Sequence, residues 1–290
     1  MKKIILEVAN KNLDNIIEVL NIHDIYNIYY DQPFQVTTTE YGYGYVEDED
    51  SIFNLNIIIE NDEDLDNMTN LLSKILPNYT LSIEDVDTSN FDNTFEPLDL
   101  HNGYIICSPD DNIDDSSLEK IYFIPQGAFG TGLHETTQDC LRYILKSDLK
   151  NKSVLDIGTG SGILSLASAK KDASKIIALD IRDVSAEIEY NASLNSISNI
   201  EVAVGNALDD EIKFDEKFDF VIINIGGEET LMFKDFIYNT LKDNGTLLIS
   251  GLVTWSYEDV LKGLSDLNLT IIDKSISNEW VTVLCKQNPK

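Results

Sequence analysis

Val154-Leu155-Asp156-Ile157-Gly158-Thr159-Gly160-Ser161-Gly162 is followed by a second apolar run, Ile176-Ile177-Ala178-Leu179, which ends on Asp180. The order is strand, glycine loop, helix, strand, acid. Glycines at three alternate positions let the backbone turn sharply from strand to helix and approach a ligand where any Cβ would collide. An acid closing the next strand can accept both hydroxyls of an adenosine ribose. Dinucleotide-phosphate loops read G-x-G-x-x-G, whereas this loop reads G-x-G-x-G with Ile163 in the sixth place. That spacing, with Asp156 ahead of it, points to S-adenosylmethionine rather than NAD. A glycine triplet alone also makes a tight turn in any α/β protein, so the flanking strand and helix and Asp180 carry the distinction.

Outward from this loop the chain alternates regularly. From Tyr122 onward the pattern predicts elements at 153–157, 163–170, 175–181, 184–195, 200–204, 218–225, 229–241, 246–250 and 257–266, strand alternating with helix, and a helix at 140–146 before them. Two final strands, 269–274 and 280–285, are close enough to pair antiparallel. The expected fold is α/β, a doubly wound Rossmann-like sheet with an antiparallel terminal pair. Ligands of such sheets bind outside the carboxyl ends of the strands, where the glycine loop, Asp180 and Asn224 all fall.

Upstream, the first part reads strand (3–8), helix (12–20), strand (25–30), strand (53–60), helix (65–76), strand (80–86). That βαββαβ order predicts a small α+β ferredoxin-like domain. Glu40-Tyr41-Gly42-Tyr43-Gly44-Tyr45 interrupts its middle strands as a loop or hairpin tip. Its tyrosines suit either protein contact or cover for the sheet. Residues 87–120 are irregular and acidic apart from a short strand at 104–107. The expected division is 1–88 for the ferredoxin-like domain, 89–120 for linker and entry, and 121–290 for the glycine-loop domain.

Formal net charge is -30, from 51 acidic against 21 basic residues, and only Arg142 and Arg182 are arginines. Phosphate binding needs clustered cations, so no direct nucleic-acid partner is expected. The N-terminal domain carries a dense acidic field, which suits a basic protein partner; solubility, or the amino-acid habits of an AT-rich genome, would give the same bias. Cys107, Cys140 and Cys285 form neither a disulfide framework nor a metal site. Glu7 interrupts any signal-like apolar start, and no run of apolar residues is long enough to span a membrane. A cytoplasmic monomer is the expectation.

Ahead of the glycine loop stands Ile124-Pro125-Gln126-Gly127-Ala128-Phe129-Gly130-Thr131-Gly132-Leu133-His134-Glu135-Thr136-Thr137, and after the fourth strand Asn224-Ile225-Gly226-Gly227. With these the chain resembles the ribosomal protein L11 methyltransferase family, class I S-adenosylmethionine enzymes that methylate amines of a stalk-base ribosomal protein. The resemblance is clear over 120–265 and extends over the first hundred residues only as a layout. It implies that Thr137 contacts the cofactor, with Phe129, Gly130 and Thr131 in the covering segment, Gly158 and Gly160 along the loop, Asp180 on the ribose and Asn224 beside the methyl group. It also implies an N-terminal domain that recognises the basic ribosomal protein. Asn206, after the third strand, falls where this fold meets adenine, although a strand-end Asn is also a turn former. His134 reads as a strut for the loop or as a base.

Several positions depart from the family. Ile124-Pro125-Gln126-Gly127 stands where relatives have Asp-Pro-Gly, Glu135 where they have Pro, and Gly226-Gly227 where they have a Leu-Ala-like pair. Phe91 and Phe95 are the nearest counterparts of a tryptophan-rich linker. The expected function is methyl transfer to lysine or N-terminal amines of a ribosomal protein. The alternatives are a methyltransferase of another protein or a small amine, and a degenerate cofactor-binding protein without turnover.

Overall fold

The computed structural model describes residues 2–23, 25, 27–30, 34–48, 50–59, 65–85, 96–126, 130, 132–209 and 212–289. The chain divides into two units, Met1–Thr39 with Tyr43–Asn93, and Glu40–Gly42 with Thr94–Lys290.

The first unit is built from β1 (Lys2–Ala9), α1 (Leu13–Ile22), β2 (Ile28–Tyr30), β3 (Phe34–Thr38), β4 (Tyr43–Glu47), β5 (Ile52–Ile59), α2 (Leu65–Ile75) and β6 (Leu81–Asp85). Its four-stranded sheet runs β2-β5-β1-β6 with antiparallel neighbours, the order of a ferredoxin-like sandwich. Alternate residues of β1, Ile4, Leu6 and Val8, are buried and share one core with Leu13, Ile16 and Leu20 of α1 and Leu72 of α2. The segment expected as a hairpin tip joins β3 to β4, which pair antiparallel from Phe34↔Glu47 to Thr38↔Tyr43.

In the second unit a small sheet of β7 (Leu98–Asp99), β8 (Tyr104–Cys107) and β9 (Glu119–Tyr122) comes first. Only β8 is foreseeable, because its Tyr-Ile-Ile-Cys is an apolar run, whereas β7 has two residues and β9 opens on Glu119 and Lys120. Then follow α3 (Glu135–Lys146), β10 (Ser153–Ile157), α4 (Ile163–Lys170), β11 (Lys175–Asp180), α5 (Ser185–Leu194), β12 (Ile200–Val204), β13 (Phe218–Asn224), α6 (Gly227–Met232), α7 (Lys234–Thr240), β14 (Leu241–Val253), α8 (Tyr257–Gly263), β15 (Leu269–Ser277) and β16 (Trp280–Gln287).

Two helices differ from expectation. The helix expected at 140–146 begins at Glu135, because His134 caps it and so brings Thr136 and Thr137 into its first turn. The helix expected at 229–241 is two helices that meet at Phe233, whose φ of -76° and ψ of 0° close one turn and open the next. The break sets Phe233 edge-on to Phe236 with ring centroids 6.0 Å apart.

The large sheet runs β12-β11-β10-β13-β14-β16-β15, parallel through β14 and antiparallel beyond it. The last strand inserts between β14 and β15, so the terminal pair closes the edge. Along β10 the side chains alternate: Val154 joins the core shared with α3 and α4, while Leu155 and Ile157 join the core shared with α7 and α8. Both faces are covered, which is why the strands read as near-continuous apolar runs. β10 pairs with β11 on one side and β13 on the other, so the chain winds away in both directions from its carboxyl end. That end is the switch point of the sheet.

Candidate functional site

Asp156 lies one residue before the end of β10 and is buried. Its Oδ2 accepts from the Thr159 hydroxyl at 2.7 Å and the Ser165 hydroxyl at 2.8 Å. Burial pushes its carboxyl up to about 6, against the two hydroxyl bonds, and the nearby Asp180 charge adds to the rise. Asp156 therefore ties the start of the glycine loop to the first turn of α4.

Gly158, Gly160 and Gly162 all have left-handed backbones, with φ of 69°, 53° and 77°. Gly162 is also needed for space, and Gly158 stands close to its neighbour. A Cβ at 162 would stand 2.5 Å from Ile188 Cγ1, and one at 158 would stand 3.1 Å from Ile225 Cγ2. The loop thus lies directly against α5 on one side and the end of β13 on the other.

Asp180 closes β11 and is 8% exposed. Its Oδ2 accepts from Gly160 N at 2.9 Å and its Oδ1 from Arg182 N at 3.0 Å. The two residues singled out by spacing are thus joined directly. Each carboxylate oxygen has more than one lone pair, so these bonds leave Asp180 able to accept ligand hydroxyls as well. Ile181, next along, leaves its side chain 68% exposed, and Leu208 after β12 is 38% exposed. Neither stands out in the sequence, since the only signal is an apolar residue immediately after the strand-ending acid. Asn206 uses its side chain on its own turn: Oδ1 accepts from Leu208 N at 3.0 Å and Nδ2 donates to Asp209 Oδ2 at 2.6 Å. The turn-forming property of a strand-end Asn is realised here.

The segment ahead of α3 is held by a device that composition does not reveal. Glu187, Asn191 and Asn195, four residues apart on α5 and its cap, present one polar stripe to the extended backbone of 122–126. Asn195 accepts from Tyr122 N at 2.9 Å and donates to Tyr122 O at 2.6 Å. Asn191 accepts from Ile124 N at 2.8 Å and donates to Ile124 O at 3.1 Å. Glu187 Oε1 accepts from Gln126 N at 3.1 Å. A helix face here does the work of a neighbouring strand, satisfying alternate N–H groups.

Beyond it, Gly130 O accepts from the Ser161 hydroxyl at 2.8 Å, so the covering segment is attached to the glycine loop. Phe129 and Thr131 lie outside the described residues, as do Phe91 and Phe95. His134 Nδ1 accepts from Thr136 N at 3.3 Å, and its ring meets Trp280 edge-on with centroids 4.9 Å apart. Those contacts make it a cap and a strut. Thr137, in the first turn of α3, is 1% exposed, and its hydroxyl is buried with no hydrogen-bond partner among the described residues. Buried hydroxyls are normally paired, so this one suits a ligand atom.

Asn224 ends β13 opposite Ser250 and is partly buried. Its amide has no hydrogen-bond partner among the described residues. Gly251, with φ of 75°, lets β14 press onto this end, because any Cβ there would collide with the Ile225 carbonyl. Three features fit a nucleoside-bearing sulfonium cofactor. The glycine loop makes a cradle that side chains would fill, Asp180 supplies a carboxylate at its rim, and the Thr137 hydroxyl is buried and unpaired. Among the described residues no cluster of His, Cys, Asp or Glu could hold a metal ion, and no helix is long and apolar enough to cross a membrane.

Comparison with known proteins agrees with this geometry. The model of the family described as "Ribosomal protein L11 methyltransferase (PrmA)" matches residues 2–288. A ribosomal protein L11 methyltransferase of Caldicellulosiruptor saccharolyticus is 32% identical over 212 residues, 71% of this chain and 69% of that protein. One of Fusobacterium nucleatum is 28% identical over 267 residues, 90% of this chain and 77% of that one. The crystal structure of a ribosomal protein L11 methylase from Lactobacillus delbrueckii subsp. bulgaricus superposes with a TM-score of 0.60 at 28% identity, covering 67% of this chain and 99% of that one. A switch-point cradle with an acid at its rim, in a chain matched by one family model along both its units, has one reading: the chain belongs to the ribosomal protein L11 methyltransferase family.

Proposed function

We propose that this protein transfers methyl groups from S-adenosylmethionine to lysine or N-terminal amines of ribosomal protein L11. The observation that carries the reading is the Gly160–Asp180 bond of 2.9 Å at the sheet's switch point, in a chain whose family match runs over 2–288. When bound, the cofactor supplies a methyl group on a positively charged sulfur.

In this reading Asp180 holds the ribose, Gly158 and Gly160 line the loop, and Thr137 meets the cofactor with its buried hydroxyl. Gly130, Phe129 and Thr131 belong to the cover that excludes water. Asn206 stands near the adenine as a turn former, with Ile181 and Leu208 as apolar surface. Asn224 faces the amine.

What this chain must do chemically is deliver a neutral amine in line with the methyl group. Making a lysine amine neutral at pH 7 costs about 4.6 kcal/mol, while an α-amine near pKa 8 costs about 1.4 kcal/mol. Asn224 suits the task, because its carbonyl orients an N–H without a charge that would hold the proton on. The amine's proton leaves to water. The acidic field of the chain supports a basic protein as the substrate.

The test is incubation of the protein with labelled S-adenosylmethionine and unmodified L11, followed by mass spectrometry of the product. Added methyl groups on amines are expected. Unlabelled L11 beside a measurable cofactor affinity would overturn the substrate, and an absence of cofactor binding would overturn the whole reading.

A further inference from the structure

Thr137 stands in the first turn of α3 among side chains that are all engaged. The Thr136 hydroxyl lies 2.9 Å from His134 Nδ1, and Glu135 Oε1 accepts from Asn278 Nδ2 at 3.0 Å. Gln138 donates to Leu133 O at 3.2 Å and accepts from Arg142 Nη2 at 3.0 Å. Asp139, 3% exposed, accepts from Arg142 Nη1 at 3.0 Å on Oδ1 and from the Ser277 hydroxyl at 2.8 Å on Oδ2. A carboxylate is stable at that depth only when it is paired and hydrogen-bonded. Three contacts onto the start of α3 come from one place, the turn between β15 and β16. Ser277 and Asn278 supply two, and Trp280, paired with Ser277 across the turn, supplies the third through its ring on His134. The turn is itself fixed. Asn278 takes a left-handed φ of 55°, which Asn tolerates, and Glu279 O accepts from Thr254 N at 2.9 Å just past β14.

We propose that Asp139 is a positioning residue of the cofactor site, through which the β15–β16 turn fixes the first turn of α3 and with it the place of the Thr137 hydroxyl. This rests on the part given to Thr137 in the function proposed above. That hydroxyl is buried without a partner among the described residues, so it gains a hydrogen bond only where a ligand atom comes to it. A helix turn free to shift would lose that bond, whereas one already locked forms it with little ordering left to do. Asp139 spends its oxygens on Ser277 and Arg142 and acts through the helix. Ser277 lies 138 positions further along the chain, so the terminal antiparallel pair does more than close the edge of the sheet. It braces the end of α3 that carries Thr137.

The test is calorimetry of S-adenosylhomocysteine binding to the full chain, run as a double-mutant cycle. Ser277→Ala and Asp139→Asn should each raise Kd about fivefold, the worth of one hydrogen bond. Ser277→Thr restores a hydroxyl donor and should return Kd to the wild-type value. In a Thr137→Val background, Ser277→Ala should change Kd by less than about twofold, because the hydroxyl it helps to place is gone. An unchanged Kd in Ser277→Ala, or a loss that persists at full size in the Thr137→Val background, overturns the proposal. If Thr137→Val alone still weakens binding in that case, Thr137 keeps its place in the site and only the brace fails. A Thr137→Val protein that binds as the wild type does removes Thr137 from the site and the brace with it. A wild type that binds no cofactor overturns the proposed function and this inference together.

Discussion

Asp156 and Asp180 are both buried carboxylates near the same loop, yet they have different work. Asp180 bonds backbone N–H groups and faces the rim, so Asp180→Ala should weaken S-adenosylmethionine binding by about 1 to 3 kcal/mol through lost charge-assisted bonds. Calorimetry checks this, and unchanged affinity would remove Asp180 from the ribose. Asp156 is structural, and its raised pKa has a definite sign. The folded protein holds that proton more tightly than the unfolded chain does, where the ordinary value is 3.8. Its contribution is fully present below that value, is lost as pH rises through about 6, and leaves a deficit of about 3 kcal/mol at neutral pH. Asp156→Asn should flatten this part of the pH dependence, read as the difference between wild-type and variant urea midpoints from pH 4 to 7. Equal slopes would show that the carboxyl ionises as easily folded as unfolded.

The α5 stripe makes a sharper claim at the level of an element. Asn191 is fully buried and spends both ends of its amide on Ile124. Asn191→Ala should lower stability by about 1 to 3 kcal/mol, because it leaves a backbone N–H and carbonyl unpaired. It should also weaken cofactor binding, since the segment leading to the cover loses its seat. Thermal melts with and without S-adenosylmethionine separate the two effects. The glycine loop, Asp180 and Asn224 are legible in sequence because strand–loop–helix geometry restricts which residue types can occupy those places. The stripe is not, because Glu187, Asn191 and Asn195 at fourfold spacing look the same whether they face water or a backbone. The helix break at Phe233 escapes for a related reason, since an aromatic at a helix end and one in its middle have similar propensities.

At the scale of the whole molecule, the excess of acids predicts that KM for L11 rises steeply with salt while cofactor affinity changes little. Steady-state kinetics over a range of ionic strength checks it, and a flat KM would assign the charge to solubility. Cys107, Cys140 and Cys285 are all buried, and burial pushes the Cys285 thiol up to about 12. No thiol should react with an aromatic disulfide reagent until the protein unfolds. The doubly wound class of the sheet and its antiparallel terminal pair were legible because continuous apolar runs alternate with helices, whereas β7, two residues long, and β9, which opens on Glu119 and Lys120, show no apolar run. The α5 stripe carries one more implication, for how freely this chain can diverge. It grips the N–H groups of 122, 124 and 126 and never that of 125, where Pro125 has none to give. Because the grip is on main-chain atoms, the side chains of 124–126, none of them buried, can be exchanged without unseating it, whereas Phe123 is held in the core. Ile124-Pro125-Gln126 can therefore vary in sequence while the backbone of this stretch keeps its place on α5.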